Sequence, residues 1–126
     1  MIYGVGTDLI RIDRIARAWE RWGRRFEERI FTPAEVEVCR ARPNPAACMA
    51  LRFAAKEAFS KAVGLGLRSG KLLWRDIEVT HDQRGKPSLV LRGTAEQAAR
   101  LIGLRASHLT LSDEDGLAQA FVVIEV

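Results

Sequence analysis

Two acids and a lysine are the residues of this sequence whose types and spacing could do chemistry. Asp8 ends the run Gly4-Val5-Gly6-Thr7-Asp8 near the start of the chain. A carboxylate at the end of a rigid strand can project into a cleft and offer the hard oxygen that Mg²⁺ prefers. The same position equally suits a turn former or a helix cap. Glu57 and Lys61 stand four residues apart, acid first, in the run RFAAKEAFSKA. In a helix that order makes a solvent-facing ion pair worth about 0.2–0.5 kcal/mol. It also makes an acid that could hold a metal while the lysine one turn later meets a phosphate. Spacing alone leaves both readings open.

Other reactive types are sparse. Cys39 and Cys48 are the only cysteines, nine positions apart, with no CxxC and no nearby histidine. That pattern fits neither a zinc site nor a redox motif, and the expectation is two buried or idle thiols. His108 reads as a half-buried strand residue. Glu35 reads as a helix-capping acid. The charge is concentrated near the start of the chain: residues 11–29 hold seven arginines against four acids, most of the whole chain's formal +4. Such a surface attracts phosphates, nucleic acid or an acidic protein.

The elements that must position these residues can be read from pattern. Residues 2–9 read as a strand whose glycines permit close backbone approach. Ile12, Ile15, Trp19 and Trp22 recur at helical spacing, and Gly23 interrupts or ends that helix. TPAE at 32–35 gives an N-cap, a proline at the first helical position and Glu35 at the third. ARPNPAA (41–47) reads as a proline-broken loop, and a helix follows from about Met49 to Val63. On it Leu51, Ala55, Ala58, Phe59 and Ala62 form an apolar stripe, leaving Arg52, Lys56, Glu57, Ser60 and Lys61 on the other faces. GLGLRSGK (64–71) reads as a mobile connection. Residues 77–81 and 87–91 alternate around DQRGK as a hairpin. A helix over 94–104 takes Thr94 as its N-cap, and a second alternating pair, 108–112 and 117–126, flanks DEDG.

A length of 126 residues at 48% hydrophobic residues fits one domain, 1–126, with a real core. The expected class is α+β, with a mainly antiparallel sheet packed against helices. No apolar run approaches the ~20 residues that span a bilayer, and no basic leader is visible. A cytoplasmic location is the expectation.

Taken together, the motifs resemble the holo-acyl-carrier-protein synthase family of 4′-phosphopantetheinyl transferases. Gly4, Gly6, Asp8 and Leu9 match the family's strand signature, G-x-G-x-D followed by Ile or Leu. Arg52, Phe53, Ala54, Lys56, Glu57, Ala58, Lys61 and Ala62 match R-F-A-x-K-E-A-x-x-K-A. The glycines 64 and 66, the turn Gly85-Lys86-Pro87 and the ending Val123-Ile124-Glu125 follow in the family's order. Each motif is modest alone; their joint occurrence along nearly the whole chain is specific. One departure stands out. Many members carry a second histidine in the last hairpin, where this chain has Asp113.

The resemblance implies transfer of 4′-phosphopantetheine from coenzyme A to a serine of apo-acyl-carrier protein, supporting fatty acid biosynthesis and releasing adenosine 3′,5′-bisphosphate. It implies Asp8 and Glu57 as Mg²⁺ ligands and, with Lys61, as the catalytic group. Arg52, Lys61, Gly64, Gly66, Lys86 and Pro87 would grip coenzyme A. Glu57 or a metal-bound water would take the serine proton, with Glu35 second. Arg14, Arg17, Arg21, Arg24 and Arg25 would receive the acidic carrier, and the family's assembly would be a homotrimer with shared sites. A carrier domain of a polyketide or peptide synthase is an equivalent acceptor. The rival reading, a basic nucleic-acid-binding module, lacks exposed aromatics at stacking spacing.

Overall fold

The computed structural model describes residues 1–126, ordered as β1 (Ile2–Arg11), α1 (Ile12–Trp22), α2 (Arg24–Ile30), α3 (Pro33–Arg40), α4 (Pro45–Val63), β2 (Ile77–His81), β3 (Pro87–Leu91), α5 (Gly93–Ile102), β4 (Ala106–Glu114) and β5 (Leu117–Glu125). The fold is α+β, as expected. Every strand pairing is antiparallel: β1, β5 and β4 form one sheet with β5 central, and β2–β3 form a separate hairpin.

The long helix α4 is the axis of the molecule. Ala50, Ala54, Ala55, Ala58 and Phe59 are fully buried on it, and the inner face of the large sheet adds Ala118, Ala120, Val122 and Ile124. Along β1 the inward residues are Gly4, Gly6, Asp8 and Ile10, by strict alternation. A Cβ at Gly4 would collide with the carbonyl oxygen of Ala62, and one at Gly6 with that of Ala58. The two glycines therefore let the strand lie directly on the α4 backbone. The next inward residue is Asp8, delivered beside the Glu57–Lys61 turn.

Several local rules act as written in the sequence. Thr32 and Glu35 form a reciprocal capping box with Pro33 following the cap. Gly23, with φ 53°, separates α1 from α2. The β4–β5 hairpin closes through Asp115 (φ 54°) and Gly116 (φ 78°), both left-handed, the requirement of a two-residue type I′ turn.

Other expectations are corrected. The α4 helix starts at Pro45, four residues before Met49, because Asn44 caps it by accepting from the Ala47 amide at 3.1 Å. Proline is suited to a first helical position, so Pro45 opens the helix that it was expected to precede. Thr94 does not cap α5. Its hydroxyl donates to Asp76 Oδ2 at 2.7 Å and accepts from the Leu73 amide at 2.9 Å, tying α5 to the short 3₁₀ turn Trp74–Asp76. Arg52, Lys56 and Ser60 are buried, not on a polar outer face. Cys39 and Cys48 are not idle thiols; a disulfide joins them. Nine positions separate them in sequence, but the turn at 41–44 folds the end of α3 back onto the start of α4, and their Cα atoms come to 5.3 Å.

Candidate active site

A cavity of about 370 Å³ opens where β1, α4 and the following loop meet. Asp8, Arg14, Phe53, Glu57, Lys61, Gly66 and Arg68 all line it. The first strand and α4 thus bring together the three residues singled out for chemistry, from positions some fifty residues apart.

The charges are arranged in a particular order. Lys61 Nζ donates to Asp8 Oδ1 at 3.2 Å and to the Thr7 carbonyl at 2.9 Å. It turns to the strand and makes no ion pair with Glu57, so the solvent-facing i, i+4 pair is not formed. Glu57 is left half-buried, and burial first, then the facing Asp8 carboxylate, raises its pKa above the ordinary value. Arg68, Lys61 and Arg14 oppose that rise, Arg68 most. Two carboxylates held against one another in a cleft call for a cation. Lys61 meets part of that demand at Asp8. The donor set suits Mg²⁺, which commonly takes one or two carboxylates and leaves its other positions to water and substrate phosphates. No group of three or more His, Cys, Asp or Glu side chains converges anywhere in the chain, so this site offers two carboxylates and no third protein ligand of those types.

The remaining cofactor candidates lie apart. Gly64 is the left-handed C-cap of α4, with its amide bonded to the Ser60 carbonyl at 2.9 Å, and only Gly66 of the pair lines the cavity. Lys86 and Pro87 sit on the β2–β3 turn, where Asp82 Oδ1 accepts the Arg84 and Lys86 amides at 2.8 and 2.9 Å. Near the His81 end of that hairpin lies a second cavity of about 400 Å³, lined by Glu35, Arg42, Arg52, Glu78, His81 and Asp82 among others. Arg52 donates to Cys48 Sγ at 2.9 Å and contacts His81 Nδ1 at 3.2 Å, while its buried Nε has no partner. Burial lowers the Arg52 pKa, against the pull of Glu35. Of the three carboxylates in this lining, Glu35 is engaged by Lys56 and Glu78 by Arg92, which leaves Arg42 and Arg52 without a carboxylate partner of their own.

Glu35 is removed as a candidate base. Its side chain is 1% exposed and accepts from Lys56 Nζ at 2.6 Å, the Val79 amide at 2.9 Å and the Thr32 amide at 3.0 Å, leaving no room for a substrate. His108 contacts Glu125 at 2.9 Å, and Asp113 is exposed on β4, so neither enters the cavity.

The five arginines assigned to a carrier are all exposed but do not share one face. Arg14 lines the Asp8–Glu57 cavity and Arg24 a separate groove beside Glu27 and Arg40. Arg17 pairs with Asp13 at 3.6 Å, and Arg21 lies 5.0 Å from the Trp22 ring centre. Arg25 joins Trp22, Phe26, Arg29 and Trp74 around a groove of about 700 Å³, which shares Phe53 and Arg68 with the first cavity. The expectation missed Arg68 and Arg42. Arg68 had a signal, its place directly after Gly66-Leu67; Arg42, in a proline-flanked turn, had none.

Comparison with known proteins identifies the family. The profile of the 4′-phosphopantetheinyl transferase superfamily matches residues 4–119. The holo-(acyl-carrier-protein) synthase of Geobacter sp. (strain M21) is 47% identical, over 99% of both chains. That of Sinorhizobium fredii (strain NBRC 101917 / NGR234) is 50% identical over 99% of this chain and 92% of its own. Among solved structures, the synthase of Neisseria meningitidis superposes with a TM-score of 0.91 at 40% identity, covering all of both chains. The Helicobacter pylori synthase, solved in complex with coenzyme A, gives 0.85 at 27% identity, over 96% of this chain and 99% of its own.

Proposed function

We infer the reaction from one premise: the chain belongs to the 4′-phosphopantetheinyl transferase superfamily, as an enzyme of the holo-(acyl-carrier-protein) synthase type. It transfers the phosphopantetheine arm of coenzyme A to a serine of an apo-acyl-carrier protein. The observation that carries this reading is the glycine-lined contact of β1 with α4, which sets Asp8, Glu57 and Lys61 around one cavity.

In this reading Asp8 and Glu57 would hold Mg²⁺, which would supply neutralising charge for the pyrophosphate. The serine oxygen attacks the phosphorus next to pantetheine, and the bond to the adenosine-side phosphate breaks, releasing adenosine 3′,5′-bisphosphate. Glu57, at the same cavity, is the carboxylate placed to take the serine proton. Lys61 places an ammonium where phosphate charge accumulates, already held in position by the Thr7 carbonyl. Such a transfer depends on alignment and charge more than on covalent help from the protein.

Arg52 with Arg42, His81 and the Lys86–Pro87 turn forms the grip on the nucleotide end of coenzyme A. That pocket shares none of its lining with the Asp8–Glu57 cavity. We therefore place one ligand across a subunit boundary, with each chain giving its two pockets to different sites. The outer face of the large sheet supports such an assembly, because Tyr3, Val5, Leu9 and Phe121 are exposed on it. The proposed assembly is a homotrimer. An inactive Glu57→Gln protein mixed with an inactive Lys86→Ala protein should recover activity once subunits exchange. A fully active monomer at assay concentration would refute the shared site.

The acidic carrier is assigned to the groove between Trp22, Arg25, Phe26 and Arg29, an apolar trough rimmed by arginines that opens onto the Asp8–Glu57 cavity through Phe53 and Arg68. The acceptor we assign is the carrier of fatty acid synthesis, and the compartment is the cytoplasm; no helix is long and apolar enough to cross a membrane. Intact-mass analysis of apo-carrier incubated with coenzyme A, Mg²⁺ and this protein tests the whole reading. A carrier gaining one phosphopantetheinyl group, and none with EDTA, is the expected result. An unchanged carrier would overturn it.

A further inference from the structure

We propose that Cys39 and Cys48 form a reversible thiol–disulfide site that sets how tightly the adjoining Arg42–Arg52 pocket holds an anion. The inference rests on the reading above only in naming that anion as the phosphates of a nucleotide. Cys39 lies in the last turn of α3 and Cys48 in the first turn of α4. Between the helices runs the exposed turn 41–44. Arg42 is part of that turn, so the bridge closes the loop that carries it. The second arginine touches the bridge directly, with Arg52 Nη1 donating to Cys48 Sγ at 2.9 Å. Both cations of the pocket are therefore braced by one covalent bond, and the Arg52 Nε remains buried without a partner.

Of the two buried cysteines, Cys48 is the less enclosed and the one a reductant meets first. Cys39 is wholly buried and Cys48 is 7% exposed. Reduction begins when a thiolate reductant attacks the bridge, freeing one cysteine and forming a mixed disulfide with the other. A second reductant thiolate then releases that cysteine, giving two protein thiols and one oxidised reductant. The reverse uses a small-molecule disulfide, and Arg52 beside Cys48 favours the attacking thiolate. In a compartment whose thiol pool keeps most cysteines reduced, a bridge of this kind serves as a sensor rather than a staple. Bridged, the turn is short and Arg42 stays over the pocket. Opened, the turn gains freedom and ordering Arg42 costs binding energy. By linkage, a bound nucleotide must protect the bridge by the same factor.

The test uses the full-length protein poised in oxidised or reduced glutathione, with intact mass reporting the bridge as a loss of about 2 Da. Adenosine 3′,5′-bisphosphate is titrated into each form by calorimetry. The bridged form should bind about fivefold tighter or more. Cys39→Ser, which keeps the Cys48 sulfur beside Arg52, should show the weaker affinity in both buffers. Equal affinity of the two wild-type forms would overturn the inference and leave the transferase reading intact. No bridge in oxidised glutathione would do the same. Failure of the nucleotide to bind either form would overturn both the inference and the nucleotide role of the pocket. The wild-type comparison stands even if the variant does not fold.

Discussion

Two lysine–carboxylate pairs hang from the same helix, five residues apart, and they have opposite characters. Lys56 and Glu35 meet at 2.6 Å with side chains 0% and 1% exposed. Lys61 and Asp8 meet at 3.2 Å with side chains 53% and 16% exposed. Five residues turn an α-helix through about 140° beyond a full turn, enough to move a lysine from the interior to the cleft. The interior lysine is saturated, since its ammonium also donates to the carbonyls of Ile30 at 2.7 Å and Trp74 at 3.2 Å. It pins α4 to α2, α3 and the 3₁₀ turn, with nothing left for a ligand. The cleft lysine faces a carboxylate whose neighbour, Glu57, is destabilised as an anion. One pair finishes a structure; the other leaves a demand for positive charge that a metal can meet.

The comparison breaks most visibly if the interior pair is dispensable. Lys56→Met leaves Glu35 as a buried carboxylate held only by amides, and removing one partner of such a pair costs about 3–5 kcal/mol. Urea unfolding measures it. Adding Glu35→Leu to Lys56→Met should recover part of the loss, because neither charge of the pair then remains, the Val79 and Thr32 amides losing their acceptor. A single variant within about 0.5 kcal/mol of wild type would mean that Glu35 is not stranded without Lys56 and that the two pairs are alike.

The cleft pair should show the reverse pattern. Asp8→Asn and Glu57→Gln are expected to lower transfer by about 100-fold or more, since even residues behind a metal's ligands cost 10–100-fold. Folding stability should change little, because Asp8 and Glu57 lie at an open cavity. Titrating Mg²⁺ into EDTA-treated protein should restore wild-type activity and fail to restore either variant. Equal wild-type rates with EDTA and with Mg²⁺ would remove both residues from the metal assignment.

A smaller effect belongs to the surface that feeds the cleft. Reversing Arg25 and Arg29 together should raise the KM for carrier about tenfold while coenzyme A affinity holds, because rim charges act mainly on encounter. The wild-type KM should rise with salt, as exposed charges are screened over about 10 Å at 0.1 M. A matching loss of coenzyme A affinity would move these arginines from the carrier groove to the nucleotide site.

How far these differences could be read in the sequence follows from what each depends on. The capping box at Thr32, the turn at Asp115-Gly116 and the close-approach glycines of β1 are rules acting over four residues or fewer, and they were legible. So was the pairing of Gly4 and Gly6 with an acid two positions on. The fate of the charged residues on α4 was not. The periodicity of an alanine-rich helix packed on several sides is nearly featureless, and Lys56 reads as surface until Glu35 arrives from α3. The disulfide was hidden for a similar reason, since its geometry comes from a turn between two helices and not from cysteine spacing.

The smallest expected effect probes whether Arg42 and Arg52 leave the second pocket surplus positive charge once Lys56 and Arg92 have engaged its Glu35 and Glu78. Arg52 Nη2 donates to His81 Nδ1 at 3.2 Å, so that nitrogen is an acceptor and the ring is neutral, with its proton on Nε2. Burial lowers the His81 pKa below the ordinary 6.5, and Arg52 and then Arg42 push it further in that direction. The sign follows from proton counting. With the folded pKa depressed, the unfolded chain binds more protons as pH falls through about 6.5, and stability is lost from there down to the folded pKa. The ring is partly exposed, so the loss is well under ~1 kcal/mol after screening. It should vanish in His81→Gln, compared with wild type by urea unfolding at neutral and mildly acidic pH. Proton NMR gives the sharper reading, since the His81 midpoint should lie below that of the unfolded chain and rise when inorganic phosphate is added. An anion seated between Arg42 and Arg52 cancels the repulsion that keeps the ring neutral. A midpoint at or above the ordinary value, unmoved by phosphate, would show that the arginines do not converge on His81 and that this pocket lacks the surplus charge a nucleotide phosphate needs.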